Sequence, residues 1–124
     1  MQKIIEMYKK FRQELDGICI PIILDDENVR EIKADGKTVG MICGTDDYID
    51  CIYILPEYRR KGLATKAALE WVKDFRKYGE IRLHIINDNV KARKFWNKLF
   101  YLDPLEGNRL DTLYRITGIR GEKQ

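Results

Sequence analysis

The apolar and polar positions of the chain predict three consecutive strands in its first half. Asp35-Gly36 joins the first two strands, and this dipeptide is typical of a tight hairpin turn. A second polar turn is predicted at residues 44–47, and Pro56 ends the third strand. Strands joined by such short turns run in opposite directions, so the pattern indicates an antiparallel meander. The predicted strands are Val29–Ala34, residues 38–43 and residues 48–55.

A helix is predicted from Gly62 onward, because apolar side chains recur there at every third or fourth position. The next apolar run, Ile81–Ile86, is a fourth strand, and the helical connection is long enough to set it parallel to the third. The apolar face of the helix comprises Ala64, Ala68, Trp71, Val72 and Phe75, and its charged positions include Lys66, Glu70, Lys73 and Lys77.

The remaining segments predict further elements at both ends of the chain. Residues 2–16 have the period of a helix ended by Gly17, and residues 18–24 form an irregular or edge strand because Pro21 interrupts them. A second helix is predicted at residues 89–99, capped by Asp88 or Asn87. The other expected elements are strands at residues 100–102 and 110–117, a Glu106-Gly107-Asn108 turn and a frayed tail from Arg120.

Length and composition limit the class of protein. The 124 residues predict one domain, residues 1–124, and the 44% hydrophobic and 35% charged fractions are typical of a soluble protein. No apolar run approaches the ~20 residues that a membrane helix needs, and the charged start does not resemble a secretory signal. These features predict a cytoplasmic protein without a membrane partner.

The charge and the cysteines favour some partners over others. A net charge of +3 is too small to indicate nucleic acid. Cys19, Cys43 and Cys51 lie in apolar stretches without metal-ligand spacing, so we expect buried, reduced thiols and no bound metal. The acidic residues 25–28 are interpreted as a solvated turn.

The turn between the third strand and the first helix combines three features of an anion site. A helix begins with backbone N–H groups that have no internal acceptor, and its dipole is positive there. Gly62 has no Cβ, so a bulky anion can approach the main chain. Arg59, Arg60 and Lys61 add cationic donors, and a pyrophosphate suits this geometry best.

The same segment, residues 55–64, resembles the acetyl-CoA signature of the GNAT superfamily of N-acetyltransferases, Arg/Gln-x-x-Gly-x-Gly/Ala, at Arg59, Gly62 and Ala64. The resemblance implies an α+β fold, a mixed α/β sandwich. Its central, mostly antiparallel sheet would have one parallel strand pair at the crossover and helices on both faces. It also implies that acetyl-CoA is the cosubstrate. The cofactor-binding role carries over to Ile52, Ile54, Arg59, Arg60, Lys61, Gly62, Leu63, Ala64 and Thr65.

Residues 87–101 are similar to a second family pattern, Asn-x-x-Ala-x-x-Phe-Tyr-x-x-x-Gly-Phe. By this match Asn89 would hydrogen-bond the CoA arm. Trp96 occupies the position where many members have a tyrosine that reprotonates the leaving thiolate, and an indole N–H is no acid at neutral pH. The thiolate could leave without an acid, Tyr101 could supply the proton, or catalysis could be slow or lost.

A base is useful because an alkyl ammonium group is only about one part in a thousand neutral at pH 7. Family members often have an acid on the strand before the signature, and here the matching position is Tyr48. Asp50 lies two residues further on the same strand face, so it is the candidate base, with an ion-paired residue at the rim as the alternative. His84, mid-strand between apolar neighbours, is interpreted as structural.

The resemblance therefore implies transfer of an acetyl group from acetyl-CoA to a primary amine by direct attack, with a small-molecule or peptide acceptor. No Cys/His or Ser/His pairing indicates a covalent intermediate. Two alternatives stay open. One is a CoA-binding module without strong catalysis, and the other is a domain that binds protein or nucleic acid. Family members are often dimers, so a homodimer is compatible with the resemblance.

Overall fold

The computed structural model describes residues 29–122 together with the positions Glu6 and Lys9. Apart from Glu6 and Lys9, the predicted N-terminal helix lies outside the described residues, as do the strand at residues 18–24, the acidic turn and Cys19. The described elements are β1 (Val29–Ala34), β2 (Lys37–Thr45), β3 (Tyr48–Ile54), α1 (Leu63–Phe75), β4 (Ile81–Ile86), α2 (Val90–Leu99), β5 (Phe100–Gly107) and β6 (Asp111–Ile119).

The six strands form one sheet in the order β1-β2-β3-β4-β6-β5. The pairs β1–β2, β4–β6 and β5–β6 are antiparallel, whereas β3 and β4 are parallel and pair Tyr48 with Arg82 and Ile49 with Leu83. The predicted mostly antiparallel sheet with one parallel pair at the crossover is therefore confirmed. The chain divides into two compact units.

The first unit contains Asp50–Ala68 and, from the preceding part of the chain, β1 and β2. Asp35 and Gly36 both have positive φ, 53° and 76°, which confirms the predicted tight hairpin turn. Gly40 allows β2 to approach β3 closely, because a Cβ there would lie 2.4 Å from the Tyr53 carbonyl oxygen. The buried apolar residues of this unit are Ile32, Val39, Met41, Ile42, Cys43, Cys51, Tyr53, Ile54 and Ala68.

The second unit contains Asp46–Ile49 and the chain from Leu69. The alternation of β4 places Ile81, Leu83 and Ile85 in the core and leaves Arg82 and His84 exposed. The other buried apolar residues of the unit are Ile49, Trp71, Val72, Trp96, Leu99, Phe100 and Ile119. As predicted, α1 buries Trp71 and Val72 of its apolar face, and α2 buries Trp96 and Leu99.

Several predicted boundaries were wrong. β2 runs to Thr45, because Gly44 continues the strand and the turn contains only Asp46 and Asp47. The β5–β6 turn likewise falls at residues 108–110, because Glu106 and Gly107 still pair with β6.

The predicted frayed tail is ordered as far as Glu122. Arg120 donates its N–H to the Leu99 carbonyl, and its guanidinium lies 4.5 Å from the Tyr101 ring centroid. Both oxygens of the Glu122 carboxylate accept from Arg76, at 2.8 and 3.3 Å. The end of β6 and the residues after it are therefore held against α2, β5 and the turn that follows α1.

Candidate active site

The basic turn of the first unit has two residues with a left-handed backbone. A short 3₁₀ turn, Pro56–Tyr58, follows β3, and the chain then passes through Arg60 with φ 64° and Gly62 with φ 80° before α1 begins. The Gly62 carbonyl accepts from Lys66 N–H at 3.0 Å, so Gly62 precedes the first full turn of the helix. The first amides of α1, which include those of Leu63, Ala64 and Thr65, consequently have no acceptor within the helix.

The surroundings of this helix start suit an anion. Among the described residues, apart from the two chain neighbours of Gly62, none has an atom within 4 Å of the place where a Cβ of Gly62 would be, so the main chain there is open to them. Arg59, Arg60 and Lys61 are exposed, and the first turn of α1 contains no acidic residue. A diphosphate could therefore reach the main-chain donors without meeting a side chain of Gly62 or a helix-start carboxylate.

Arg59 holds the turn rather than simply adding charge to it. Its Nε donates to the Ile54 carbonyl at 2.8 Å, and its guanidinium lies 5.2 Å from the ring centroid of Tyr53. Lys61 similarly lies 5.3 Å from the ring centroid of Tyr58. Two of the three residues expected to provide cationic donors, Arg59 and Lys61, thus also lie against aromatic side chains that precede them.

The end of β3 is fixed by its neighbours in the first unit. Ile54 is buried and Ile52 is half-buried, and the next residue, Leu55, donates its N–H to the Val39 carbonyl at 2.8 Å. Asp50 is exposed, so burial of its carboxylate adds nothing to its candidacy as the base. Asp50 also interacts with another group of the protein. Its position on the strand is therefore the one reason to keep it as a predicted base.

The second unit contains a pair that the sequence interpretation missed. The Tyr48 hydroxyl and His84 Nδ1 form a short hydrogen bond, and the two rings meet edge to face with centroids 5.6 Å apart. The pair exists because the parallel register places Tyr48 opposite Arg82, two residues before His84 on the same face of β4. His84 is exposed. The only sequence signal was the position of Tyr48, at the place of the family's acid.

Charged side chains on the face of the sheet that carries Arg82 and His84 form ion pairs. Arg82 hydrogen-bonds Glu80, and Arg115 bridges Glu80 and Asp103 at 3.5 and 2.8 Å. The Arg82 hydrogen bond, with a smaller contribution from Arg115, holds the pKa of Glu80 below its ordinary value. The Tyr48–His84 pair therefore borders an ion network in which each arginine has a carboxylate partner.

Asn89 caps α2. Its Oδ1 accepts from Ala92 N–H at 3.0 Å, so the predicted caps, Asp88 and Asn87, were wrong. The Asn of the second family pattern thus has a structural task, since a cap satisfies one of the unpaired amides at a helix start. The cap also sets the orientation of the side chain that was predicted to contact the CoA arm.

Trp96 and Tyr101 have different environments. Trp96 is 7% exposed and stacks on Phe100, with centroids 6.1 Å apart and planes at 23°. Tyr101 is 43% exposed under the guanidinium of Arg120. Trp96 therefore serves as a core residue, and the candidate acid Tyr101 has an exposed side chain on β5.

The described residues contain no cluster of three or more metal-binding side chains. Within the same residues, no helix has both the length and the apolar character needed to cross a bilayer. Cys43 and Cys51 are buried and form no disulfide. The chemistry available in these parts of the chain is thus that of the basic turn, the Tyr48–His84 pair and the loop before α2.

Comparison with known proteins supplies a family. The model described as the acetyltransferase (GNAT) family matches residues 2–100. No curated protein sequence matches the chain.

Solved structures share the fold at low sequence identity. The chain is similar to Arabidopsis thaliana Naa50 in complex with the bisubstrate analogue CoA-Ac-MVNAL. The identity is 21% and the TM-score 0.59, over 88% of this chain and 93% of that one. The chain is also similar to a PaiA N-acetyltransferase of Thermoplasma acidophilum in complex with coenzyme A. The identity is 20% and the TM-score 0.57, over 88% of this chain and 67% of that one.

A third similar structure, a protein of Pyrococcus horikoshii, has 19% identity and a TM-score of 0.61 over 68% of this chain. The match spans only 60% of the length of the Pyrococcus protein. At these identities the likeness shows a common fold.

Proposed function

Because the chain belongs to the GNAT acetyltransferase family, we propose that it transfers an acetyl group from acetyl-CoA to a primary amine. The observation that carries the proposal is the open, basic turn at the start of α1, where Gly62 leaves the main chain accessible. The diphosphate of the cosubstrate is an anion of the size and charge that such a helix start accommodates.

The proposed cofactor-binding residues follow from this turn and from the family patterns. The amides of residues 62–65 would hold the diphosphate, with Arg60 and Lys61 as exposed cationic donors and Arg59 as the side chain that fixes the turn. Ile52 and Ile54 of β3, and Asn89 before α2, are the proposed contacts of the pantetheine arm. Acetyl-CoA supplies an activated thioester, whose carbonyl carbon the amine attacks.

We assign the base to the Tyr48–His84 pair in preference to Asp50. In the tautomer with its proton on Nε2, His84 accepts the Tyr48 hydroxyl proton at Nδ1. The reacting amine would transfer its proton to Tyr48 Oη while the Tyr48 proton moves to Nδ1, which leaves an imidazolium. Since His84 is exposed, water can then remove that proton.

The CoA thiolate can leave without protonation by a general acid. A thiol has an ordinary pKa near 8.5, so the CoA thiolate is a tolerable leaving group near neutral pH without an assigned acid. Buried Trp96 has no acidic proton, and Tyr101 remains the predicted substitute. Direct attack is favoured, since Cys43 and Cys51 are buried and thus poorly placed as nucleophiles.

A CoA-binding module without strong catalysis is the second candidate. The observation that favours it is Trp96, which is packed in the core at the position of the family's catalytic tyrosine. Such a module would bind CoA and acetyl-CoA but release no thiol with any amine.

The acceptor class and setting are proposals as well. The bound analogue in the plant Naa50 structure joins CoA to a peptide. We propose a small-molecule or peptide primary amine as acceptor, no membrane or metal, a cytoplasmic location and a single domain that can form a homodimer. The third possibility, an interaction domain for nucleic acid or protein, would use Arg59–Lys61 for contacts with its partner.

The experiment that separates the three functions is a thermal shift with CoA, acetyl-CoA and a short DNA duplex, followed by a thiol-release assay with a panel of amines. We expect stabilisation by both CoA forms, none by the duplex at physiological salt, and thiol release with at least one amine. Binding without thiol release would indicate the non-catalytic module. Salt-sensitive binding of the duplex alone would remove the acetyltransferase proposal.

A further inference from the structure

The loop between β4 and α2 is three residues long and is fixed from both sides. Asn89 donates its N–H to the Ile86 carbonyl at 2.9 Å and caps α2 through Oδ1. Val90 donates to the Asp88 carbonyl at 3.0 Å. Because so short a loop has few alternative conformations, the orientation of Asn89 depends on where the loop begins.

Asn87 is the residue that begins the loop, and all four of its polar groups have partners. Its main-chain N–H donates to the Leu110 carbonyl at 2.8 Å, and its carbonyl accepts from Arg93 Nη1 at 3.2 Å. Its side-chain Nδ2 donates to the Asn108 carbonyl at 2.8 Å, while Oδ1 accepts from the Thr112 hydroxyl at 2.7 Å. Asn87 thus connects the loop to the β5–β6 turn and to α2.

The β5–β6 turn has matching features. Asn108 Oδ1 accepts from the N–H groups of Leu110 and Asp111, at 2.7 and 2.9 Å, which orders the turn that presents the Asn108 carbonyl. Gly107 lies opposite Thr112, and a Cβ there would come within 3.1 Å of the Thr112 hydroxyl. The absence of a side chain at Gly107 therefore leaves the hydroxyl free of crowding as it reaches Asn87.

We propose that Asn87 is a positioning residue that holds Asn89 in the orientation needed for the CoA arm, and that the β5–β6 turn supports this role through Thr112 and Asn108. The inference rests on the proposed function, because it takes Asn89 as a contact of acetyl-CoA. A positioning residue that acts through a neighbour should lose its effect when that neighbour's side chain is removed.

The test is a double-mutant cycle on acetyl-CoA affinity, measured by isothermal titration with Asn87→Ala, Asn89→Ala and the double variant. We expect Asn87→Ala to weaken binding about tenfold in the wild-type background and to change it little in the Asn89→Ala background. Equal losses in both backgrounds would show that Asn87 acts independently of Asn89 and would overturn the inference.

A second pair of variants keeps the test decisive if Asn87→Ala does not fold. Thr112→Val removes the hydroxyl donor and keeps the branched shape, whereas Thr112→Ser keeps the donor. We expect weaker binding with valine and wild-type binding with serine, again only while Asn89 is present. Equal affinities for the two variants would contradict the inference.

The control is Asn97→Ala, which removes an amide that donates to the Arg93 carbonyl at 2.9 Å on the exposed surface of α2. This variant loses a comparable hydrogen bond away from the loop, so its affinity should equal that of the wild type. Absence of acetyl-CoA binding by the wild type would refute the proposed function and this inference with it. Binding by the wild type without coupling would refute this inference alone.

Discussion

At the scale of single residues, the turn before α1 is distinguished by its backbone conformation. Arg60 has φ 64°, a region that non-glycine residues seldom occupy, and Gly62 follows with φ 80°. Residues in such conformations are often found at ligand sites, where the surrounding structure must stabilise them. Here Arg59 contributes to that stabilisation by its bond to the Ile54 carbonyl.

The contribution of Gly62 to ligand binding can be separated from the effect of its positive φ on stability. Gly62 and Gly36 have similar positive φ values, 80° and 76°, and in the described part of the chain no residue other than their chain neighbours has an atom within 4 Å of an added Cβ at either position. Alanine at either position should lower the free energy of unfolding by a similar amount, about 1–2 kcal/mol. Acetyl-CoA affinity, measured by titration, should fall at least severalfold for Gly62→Ala alone. Equal affinities of the two variants would place the diphosphate elsewhere.

The Tyr48–His84 pair gives a catalytic prediction. Tyr48→Phe removes the hydroxyl and little else, so the acetyl-CoA dissociation constant should be unchanged while kcat falls by roughly 10²-fold or more. His84→Gln should reduce kcat to a similar extent, and the double variant should be little worse than either one, because the two residues act as one relay. If Asp50→Asn is the only one of these variants to reduce kcat, the base is Asp50.

At the scale of elements, α2 is set by its cap and its apolar face. Asn89 satisfies the amide of Ala92, and Trp96 and Leu99 are buried. The cap and the proposed cofactor contact belong to the same side chain, but they can use different atoms. Oδ1 serves the helix, and Nδ2 is the donor that could meet a carbonyl of the pantetheine arm.

Asn89→Asp separates these two tasks. Aspartate caps a helix as well as asparagine does, so the unfolding midpoint of Asn89→Asp should equal that of the wild type. Asn89→Ala removes the cap and should lower the free energy of unfolding by about 1 kcal/mol. Both variants lack the amide donor, so both should bind acetyl-CoA more weakly in a titration. Wild-type affinity of Asn89→Asp would mean that Nδ2 makes no contact with the cofactor.

The residues after β6 give a prediction about pH. The hydrogen bond from Arg76, the largest cause, holds the pKa of Glu122 below its ordinary value of 4.5. A lowered pKa in the folded state means that the stabilisation is present at neutral pH and is lost as the pH falls through the folded-state pKa. Glu122→Gln should therefore be less stable than wild type in urea at pH 7, and equal to it near pH 2. The exposed pair should also weaken in high salt.

The control for this prediction is Glu106→Gln, an exposed glutamate of β5. The free energies of unfolding of Glu106→Gln and wild type should differ little at either pH. If Glu122→Gln is as much less stable than wild type near pH 2 as it is at pH 7, the glutamate stabilises the chain by packing and not by charge.

At the scale of the whole molecule, one sheet contains all six described strands, and the chain falls into two compact units. The first contains the basic turn, and the second contains the Tyr48–His84 pair and the loop at Asn87. A ligand that binds only the folded chain stabilises it by mass action, whatever the details of its contacts.

Acetyl-CoA at 100 times its dissociation constant should add about 2.7 kcal/mol to the free energy of unfolding, which raises the Tm by roughly 10 °C. A calorimetric scan with Gly62→Ala at the same ligand concentration should show a smaller rise, and Gly36→Ala should show the full one. A rise that is equal in all three proteins would contradict binding at the start of α1.

Much of the fold was predictable from local patterns. The Asp35-Gly36 hairpin, α1 with its buried Trp71 and Val72, and the parallel crossover to β4 were confirmed. The boundaries were less predictable, because Gly44 and Gly107 resemble turn residues in sequence although they continue strands. The cap of α2 was predicted one or two residues too early, at Asp88 or Asn87, since Asn87, Asp88 and Asn89 all have side chains suited to capping.

The sequence by itself determined the order and type of the elements from β1 to β6, the basic turn and the family resemblance, because periodicity, turn residues and helix starts are properties of neighbouring positions. Only the tertiary structure decided that Tyr48 meets His84 and that Asn87 joins the β5–β6 turn. The physical reason is register. A contact between residues distant in sequence depends on how strands pair and on which rotamers close packing permits, and a shift of one residue would move each side chain to the opposite face of the sheet.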